Sequence, residues 1–335
     1  MDRDRLVLGT LSLAALSESE RHRIVDRFLE WGGEWIDTAG LYGDGDLERF
    51  IGECRAKQNL KVSTKLGHFE FQHCYVQSGE LIKQAQLQRA RLGGWPDQFL
   101  VHEADWPVWW GKDVRSLEHP HHVIRNSAVW QLLRLIAMED GIRIGISGND
   151  ARVLRSLADV LQPDVVLVAK QFDLLWRNAQ DFVDDPGAIG ELWLGAPFHQ
   201  GWLFRLKELA ETRADLRDFA LRLQAFLPGD TNARVRFAIA WLKANAGSAR
   251  IVAGVSSFEE LQVLLEGWEA PDVPMLEGVL ETGFRGPPMP GPLKIKNEHI
   301  ACPHLCECGK SAGCTGPARG RLNISDPNFS DGCRK

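Results

Sequence analysis

Short apolar segments alternate with longer amphipathic stretches along most of the chain. Eight segments of four to six residues are rich in Leu, Ile and Val, and they lie at 6–9, 34–38, 60–65, 97–102, 142–147, 164–169, 191–196 and 250–255. Short apolar runs of this length are typical of buried strands. Alternation of strand and helix predicts right-handed parallel βαβ units, and eight units favour a closed barrel over an open doubly wound sheet.

The stretches between these segments have helical periodicity. In the segment 18–31, the residues Ile24, Val25, Phe28 and Leu29 share one face, and the pair Gly32-Gly33 predicts the helix end. Further helices are predicted at 46–57, 128–140, 151–161, 233–245 and 257–268. No Gly-x-Gly-x-x-Gly motif follows the first strand, so a Rossmann fingerprint is absent. We therefore predict an α/β fold, a (β/α)8 TIM barrel over residues 1–285.

Composition and charge exclude several classes of function. The 335 residues are 44% hydrophobic and 25% charged, which is sufficient for a large core, and the net charge is −6 with dispersed basic residues. Such a charge distribution argues against nucleic-acid binding. No apolar run approaches the ~18–20 residues that span a bilayer, and the start of the chain does not resemble a signal peptide. We therefore expect a cytoplasmic protein without membrane association.

The amino-acid composition of the chain changes at about residue 285. Residues 286–335 begin with a Pro- and Gly-rich linker and end with five cysteines, Cys302, Cys306, Cys308, Cys314 and Cys333. In a reducing compartment, clustered cysteines more often bind metal than form disulfides. The spacing fits neither a common zinc ribbon nor a ferredoxin motif, so structural zinc, an iron–sulfur cluster and free or oxidised thiols all stay open. Zinc would make this tail a clamp or a docking module for a protein partner.

Polar residues stand where several predicted strands end. Asp37, Lys65, His102 and Ser147 occupy such positions, and Tyr42 lies in the loop after Asp37. Singly, each has an ordinary interpretation as a cap, a solvated charge or a satisfied core residue. In a parallel barrel, however, the carboxyl ends of all strands meet at one rim, where the chemistry of such barrels occurs. The residues are therefore candidates for one shared site.

Five motifs in this order resemble the aldo-keto reductase family. They are "WIDTAGLYGDGDLERFIGE" at the second strand, "KVSTKLG" at the third, "QFLVHEAD" at the fourth, and "GIRIGISGND" with "RIVAGVSSFEEL" at the fifth and eighth. The resemblance covers residues 6–270, and "LGAPFHQGWL" is most similar to the aldose and galactose dehydrogenase branch.

The resemblance implies roles for four catalytic residues. Tyr42 would exchange a proton with the substrate oxygen, and His102 would orient that oxygen. A free phenol has a pKa near 10, so a nearby ammonium from Lys65 would lower the pKa of Tyr42, with Asp37 holding that ammonium. A nicotinamide cofactor would supply the hydride.

The resemblance also implies a cofactor-binding set. Its members are Gly9, Thr10, Ser147, Asn149, Gly254, Ser256, Ser257 and Glu260. Family members that use NADP meet its 2′-phosphate with basic residues, whereas this chain has Gly254 and Glu260 at those positions. A carboxylate repels a phosphate but accepts hydrogen bonds from a ribose hydroxyl. The sequence therefore favours NAD over NADP.

Three tryptophans after His102 are candidate substrate contacts. Trp106, Trp109 and Trp110 would suit sugar rings or flat apolar molecules, and packing of a long loop is the equally weighted alternative. The predicted function is NAD(P)-dependent interconversion of a carbonyl and an alcohol, on a sugar or a small aldehyde or ketone. Two alternatives stay open: a nucleotide-binding sensor or scaffold that docks partners through its tail, and a redox-assembly subunit with an iron–sulfur cluster.

Overall fold

Eight parallel strands close into a barrel in the computed structural model of the chain, which describes residues 2–110, 121–187 and 189–271. The strands are β1 (Leu6–Gly9), β2 (Trp35–Asp37), β3 (Lys61–Leu66), β4 (Gln98–Val101), β5 (Arg143–Gly148), β6 (Val165–Ala169), β7 (Glu191–Gly195) and β8 (Arg250–Gly254). Each strand pairs with the next, and β8 pairs with β1 to close the ring. The predicted (β/α)8 barrel is confirmed.

Helices surround the barrel on its outer side. They are α1 (Glu18–Trp31), α2 (Asp46–Arg55), α3 (Ser78–Arg91), α4 (His121–Arg125), α5 (Ala128–Asp140), α6 (Ala151–Leu161), α7 (Gln180–Asp184), α8 (Leu206–Thr212), α9 (Arg217–Phe226), α10 (Thr231–Asn245) and α11 (Phe258–Glu269). Helix α1 buries Ile24, Val25 and Phe28 as predicted. The sequence prediction did not include α3, whose buried positions include the polar residue Gln88 and so interrupt the apolar stripe.

The interior of the barrel is filled by side chains. A cluster of buried residues occupies it, namely Val7, Trp35, Leu100, Val165, Leu167, Trp193 and Val252. The rings of Trp35 and Trp193 meet edge to face, with centroids 5.2 Å apart. Because this interior is packed, it offers no pore, and chemistry is confined to the ends of the strands.

Two regions of the sequence prediction fall outside the described residues. The linker and cysteine-rich segment, residues 286–335, lies there with its five candidate metal ligands, as does the proposed boundary at residue 285. Among the residues that the structure describes, no helix combines the length and apolarity needed to cross a membrane.

Candidate active site

A buried ion pair joins the ends of two neighbouring strands. Asp37 is the last residue of β2 and Lys65 the penultimate residue of β3, and the two strands pair in parallel. Lys65 Nζ donates to Asp37 Oδ2 at 2.5 Å and to the carbonyl of Thr38 at 2.9 Å. Both side chains are almost fully buried. This pairing fixes an ammonium group at the carboxyl-terminal rim of the barrel.

The two members of the pair perturb each other's ionisation. Burial lowers the pKa of Lys65, but the charge of Asp37 and hydrogen bonds to Asp37 and Tyr42 outweigh it, so the pKa of Lys65 is raised. Burial also raises the pKa of Asp37, and the ammonium of Lys65 offsets only part of this effect. The ammonium is therefore the firmly charged member of the pair.

Tyr42 lies next to this ammonium. Lys65 Nζ is 5.3 Å from the centroid of the half-buried Tyr42 ring. Burial raises the pKa of Tyr42, while Lys65 pulls that pKa down to a smaller extent. We expected Lys65 to lower the phenol pKa; it acts in that direction, but desolvation of the ring is larger and the net shift is upward.

The backbone after Tyr42 reverses direction in three left-handed residues. Gly43, Asp44 and Gly45 have φ angles of 57°, 53° and 82°. Two glycines adopt this region freely, whereas Asp44 does so at a cost of about 1 kcal/mol. The reversal places Tyr42 beside Lys65 and starts helix α2 at Asp46.

His102 completes the predicted quartet. It directly follows β4, and its ring centroid lies 6.1 Å from that of Tyr42. Burial, aided by the charges of His68 and Lys65, lowers the pKa of His102 well below its usual range, so the imidazole is neutral. Within the described part of the chain, its Nδ1 has no hydrogen-bond partner. The structure thus brings Asp37, Tyr42, Lys65 and His102 together.

A glycine behind His102 allows this packing. Gly67 has a φ of +147°, and a Cβ there would lie 2.9 Å from His102 Cβ and 2.7 Å from Trp109 Cζ2. Trp109 Nε1 also donates to the carbonyl of His102 at 2.9 Å. Any side chain at Gly67 would therefore displace the His102 ring or the tryptophan behind it.

A buried polar network behind β3 supports Lys65, and sequence reasoning missed it. Glu48 on α2 accepts hydrogen bonds from Thr64 Oγ1 at 2.8 Å and from Gln88 Nε2 at 2.7 Å. Gln88 Nε2 also donates to the Lys65 carbonyl at 3.0 Å, and Arg91 forms an ion pair with Glu48. The network ties helices α2 and α3 to the strand that carries the ammonium. A buried Glu–Gln pair on two helices has no signal in a single sequence.

The cofactor residues predicted on β1, β5 and β8 occupy the same rim. Gly9 and Gly254 face each other where β1 pairs with β8, so neither residue places a side chain at this point of the rim. Thr10 Oγ1 donates to the Asp37 carbonyl at 3.1 Å and so supports the ion pair. Ser147 is buried and donates to the Val101 carbonyl at 3.0 Å.

Asn149 is held by acidic side chains from the loop after β4. Its Nδ2 donates to Glu103 Oε1 at 3.1 Å, and its backbone N–H donates to Asp105 Oδ2 at 2.9 Å. Burial raises the pKa of Asp105 to about 6, and backbone donors, including that of Asn149, pull it back only in part. The Asn149 amide is therefore already engaged within the protein.

The predicted cofactor residues after β8 form a helix cap. Ser257 is the N-cap of α11 and its hydroxyl accepts from the Glu260 backbone at 3.2 Å. Glu260 Oε2 in turn accepts from the Ser256 backbone at 2.6 Å and from its hydroxyl at 2.8 Å. This arrangement is a variant of the capping box. The carboxylate of Glu260 thus occupies donors that an external anion would otherwise use.

Comparison with known proteins identifies the family. The family model described as "Aldo/keto reductase family" matches residues 5–184, more than half of the chain and the whole segment that carries the quartet. The chain belongs to the aldo-keto reductase family. That membership supports an oxidoreductase enzyme.

Curated relatives and solved structures agree with this assignment. Norsolorinic acid reductase A from Aspergillus parasiticus and norsolorinic acid reductase from Aspergillus flavus are each 30% identical over 150 residues, covering 38% of this chain and 38% of the relative. The chain therefore spans about two fifths of the length of these relatives.

The solved structures share the fold at low sequence identity. The aldo-keto reductase AKR11C1 from Bacillus halodurans has a TM-score of 0.57 at 18% identity, covering 81% of this chain and 88% of that chain. The glycerol dehydrogenase AKR11B4 from Gluconobacter oxydans has a TM-score of 0.59 at 15% identity, with 88% and 100% covered.

The three tryptophans of this aldo-keto reductase are buried in the loop after β4. Trp109 and Trp110 donate their indole N–H groups to the carbonyls of His102 and Ala104. Trp106 packs edge to face against His68, with centroids 4.8 Å apart. These contacts are those expected of loop packing for Trp109 and Trp110, while Trp106 contacts His68, whose ring lies 4.3 Å from that of His102.

Two residues beside His102 were not among the sequence candidates. The ring of His68 lies 4.3 Å from that of His102, and His68 Nε2 is 3.5 Å from Glu103 Oε1. Both residues adopt left-handed backbone, with φ angles of 61° for His68 and 51° for Glu103. Nothing in the sequence marks such a conformation at a histidine or a glutamate, so only the structure reveals them.

Proposed function

We propose that this aldo-keto reductase interconverts a carbonyl and an alcohol with NAD, and that Tyr42 is its general acid and base. One observation carries the proposal: the Lys65 ammonium, which Asp37 holds at 2.5 Å, lies 5.3 Å from the centroid of the Tyr42 ring. A positioned proton donor of this kind contributes ~10²–10⁴-fold to a rate.

Each member of the quartet has a distinct task in this proposal. Tyr42 donates its proton to the carbonyl oxygen during reduction and takes it back during oxidation. The ammonium of Lys65 stabilises the phenolate that forms, and Asp37 keeps the ammonium in place. The neutral imidazole of His102 hydrogen-bonds the substrate oxygen in this proposal.

The rim has features that fit a nicotinamide cofactor, which would supply the hydride when bound. Gly9 and Gly254 face each other where β1 meets β8, and neither adds a side chain to the wall. Gln171, just after β6, is buried and its Nε2 has no partner among the described residues, so it is a candidate to hold a carboxamide. Ser147, Ser256 and Ser257 are further candidates.

Turnover with a panel of substrates tests the proposal. The named relatives act on different molecules, norsolorinic acid and glycerol, so the panel contains both, together with aldoses and small aldehydes or ketones. Absorbance of the reduced nicotinamide follows the reaction in each direction. Tight binding of NAD without turnover of any carbonyl or alcohol would support the sensor or scaffold alternative instead.

The raised pKa of Tyr42 predicts different pH profiles for the two directions. Because burial raises the pKa of the Tyr42 phenol, this proton donor stays protonated through the neutral pH range. We therefore expect kcat/KM for reduction to be independent of pH from about pH 6 to 9. Oxidation needs the phenolate, whose fraction grows about tenfold per pH unit below the pKa. Its kcat/KM should therefore rise with pH. A reduction rate that rises with pH in the same range would contradict the assignment.

The substitution Glu260→Gln is expected to raise the NADP-to-NAD ratio of kcat/KM about tenfold, which corresponds to ~1.4 kcal/mol of removed repulsion. The glutamine keeps the size of the cap but removes the charge that would face a 2′-phosphate. Glu259→Gln is the matched control, because Glu259 is a neighbouring exposed glutamate in the same helical turn. Equal ratios in the two variants would show that Glu260 does not select the cofactor.

The cysteine-rich segment is predicted separately to bind metal. Cys302, Cys306, Cys308, Cys314 and Cys333 would hold zinc or an iron–sulfur cluster, and they lie outside the described residues. Metal analysis of anaerobically purified full-length protein decides between them. Iron with labile sulfide would support a role in electron transfer, whereas bound zinc would favour a clamp or a docking module for a protein partner.

A further inference from the structure

Three side chains with metal-ligating atoms converge beside the quartet. They are His68, which follows β3, and His102 and Glu103, which follow β4. One ligand atom from each lies within 4.8 Å of the others, and His68 Nε2 and Glu103 Oε1 are 3.5 Å apart. The proximity follows from the barrel itself, because β3 and β4 are neighbouring strands whose ends meet at the rim.

Two imidazoles and one carboxylate form a ligand set typical of zinc sites that keep an open position. At zinc–ligand distances of about 2.0–2.2 Å, tetrahedral ligand atoms lie ~3.4 Å apart. The His68–Glu103 distance already has this value, so only the approach of His102 to the other two has to shorten. His68 and Glu103 are the partly exposed members, with side chains 16% and 21% exposed, which gives an ion a path from solvent.

The surroundings support a ligand role for these side chains. His102 is buried, and its Nδ1 finds no partner among the described residues. Such a group is costly to leave unpaired, and a metal ion would satisfy it. Glu103 is oriented by Asn149, whose Nδ2 donates to Glu103 Oε1 at 3.1 Å. Outer contacts of this kind commonly orient ligands in metal sites.

We propose that His68, His102 and Glu103 bind one zinc-type divalent transition-metal ion, and that the bound ion inhibits the enzyme. Inhibition follows because the ring nitrogen of His102 that binds the ion is no longer available to hydrogen-bond a substrate oxygen. The inhibitory half rests on the proposed function, whereas the binding half does not. The cluster of Glu18, His22 and Glu53 is a weaker candidate, because it offers one imidazole and two exposed carboxylates.

Calorimetric titration of the full-length chain with zinc tests the binding. The cysteines of the tail are present in every sample, so their contribution cancels between variants. His68→Ala should remove one equivalent of zinc, or weaken its binding at least ~100-fold. His73→Ala is the matched control, because His73 lies in the same loop and belongs to neither cluster. Identical stoichiometry and affinity in wild type and His68→Ala would overturn the proposal.

A second variant and a second measurement keep the test of zinc binding separate from the test of inhibition. Glu103→Gln preserves the size of the side chain and should also weaken zinc binding at least tenfold. If His68→Ala fails to fold, this variant shows whether the zinc site exists. In wild type, the zinc concentration for half inhibition should equal the calorimetric Kd of the site lost in His68→Ala. Full activity with that site saturated would refute inhibition. Absence of any turnover would refute the proposed function, while the calorimetric result would still decide whether the site exists.

Discussion

Replacing Tyr42 with Phe is expected to lower kcat for carbonyl reduction by ~10²–10⁴-fold while the protein stays folded. The change removes one oxygen atom from a half-buried ring and leaves the Lys65–Asp37 pair intact. Without the phenol, the proposed proton donor beside the Lys65 ammonium is missing when the alkoxide develops. Steady-state kinetics with saturating cofactor measures the loss, and circular dichroism checks the fold.

Tyr75→Phe is the matched control for this prediction. Tyr75 is the only other tyrosine of the chain, and it is buried with its hydroxyl donating to the Phe69 carbonyl at 3.3 Å. Loss of the hydroxyl removes one hydrogen bond, which is worth about 1 kcal/mol of stability. The kcat of this variant should stay within about twofold of the wild-type value. Turnover by Tyr42→Phe comparable with that of Tyr75→Phe would remove Tyr42 from the mechanism.

The substitution Lys65→Met is expected to destabilise the protein by ~3–5 kcal/mol and to lower its activity together with its stability. Methionine fills similar space but leaves the buried carboxylate of Asp37 without its counter-ion. Urea denaturation, with the denaturant slope checked for a change in unfolding behaviour, measures the stability. The double variant Asp37→Asn/Lys65→Met removes both charges and should regain much of the stability but not the activity.

The pH dependence of the single variant gives an independent check. Burial raises the folded-state pKa of Asp37 even beside Lys65, and removal of the ammonium raises it further. A carboxyl whose pKa is raised on folding favours the folded state below its unfolded pKa of about 3.9, and this benefit is lost as pH rises through the folded value. The stability gap between Lys65→Met and the double variant should therefore widen with pH, by at most ~1.4 kcal/mol per unit. A gap independent of pH would mean that folding does not shift the pKa of Asp37 in the variant.

Much of the fold was predictable because strands and helices leave separate periodic signals. Each of the eight apolar segments became a strand, and helices α5 and α6 span the predicted residues 128–140 and 151–161. Asp37, Lys65 and His102 were predictable for a related reason, since the end of a barrel strand defines its position at the rim. Helix α3 was missed because Gln88, one of its buried residues, serves a polar network rather than the apolar core.

The remaining parts of the site depend on tertiary geometry that the sequence does not encode locally. His68 and Glu103 approach each other through left-handed backbone at both residues. The net shift of the Tyr42 pKa depends on how deeply the ring is buried, which no motif reports. The cap formed by Ser257 and Glu260 differs, because its Ser-x-x-Glu spacing is visible in the sequence and could have been recognised as a helix start.

The quartet occupies only one arc of the barrel circumference. Its residues come from β2, β3 and β4 and the loops that follow them, and the supporting helices α2 and α3 lie on the same side. The loops after β6, β7 and β8 contribute none of these four groups. The loop between β7 and α10 carries neither these four groups nor the proposed cofactor residues. It is therefore suited to exchange with that of another family member, which would redirect selectivity while the proton-transfer residues stay unchanged.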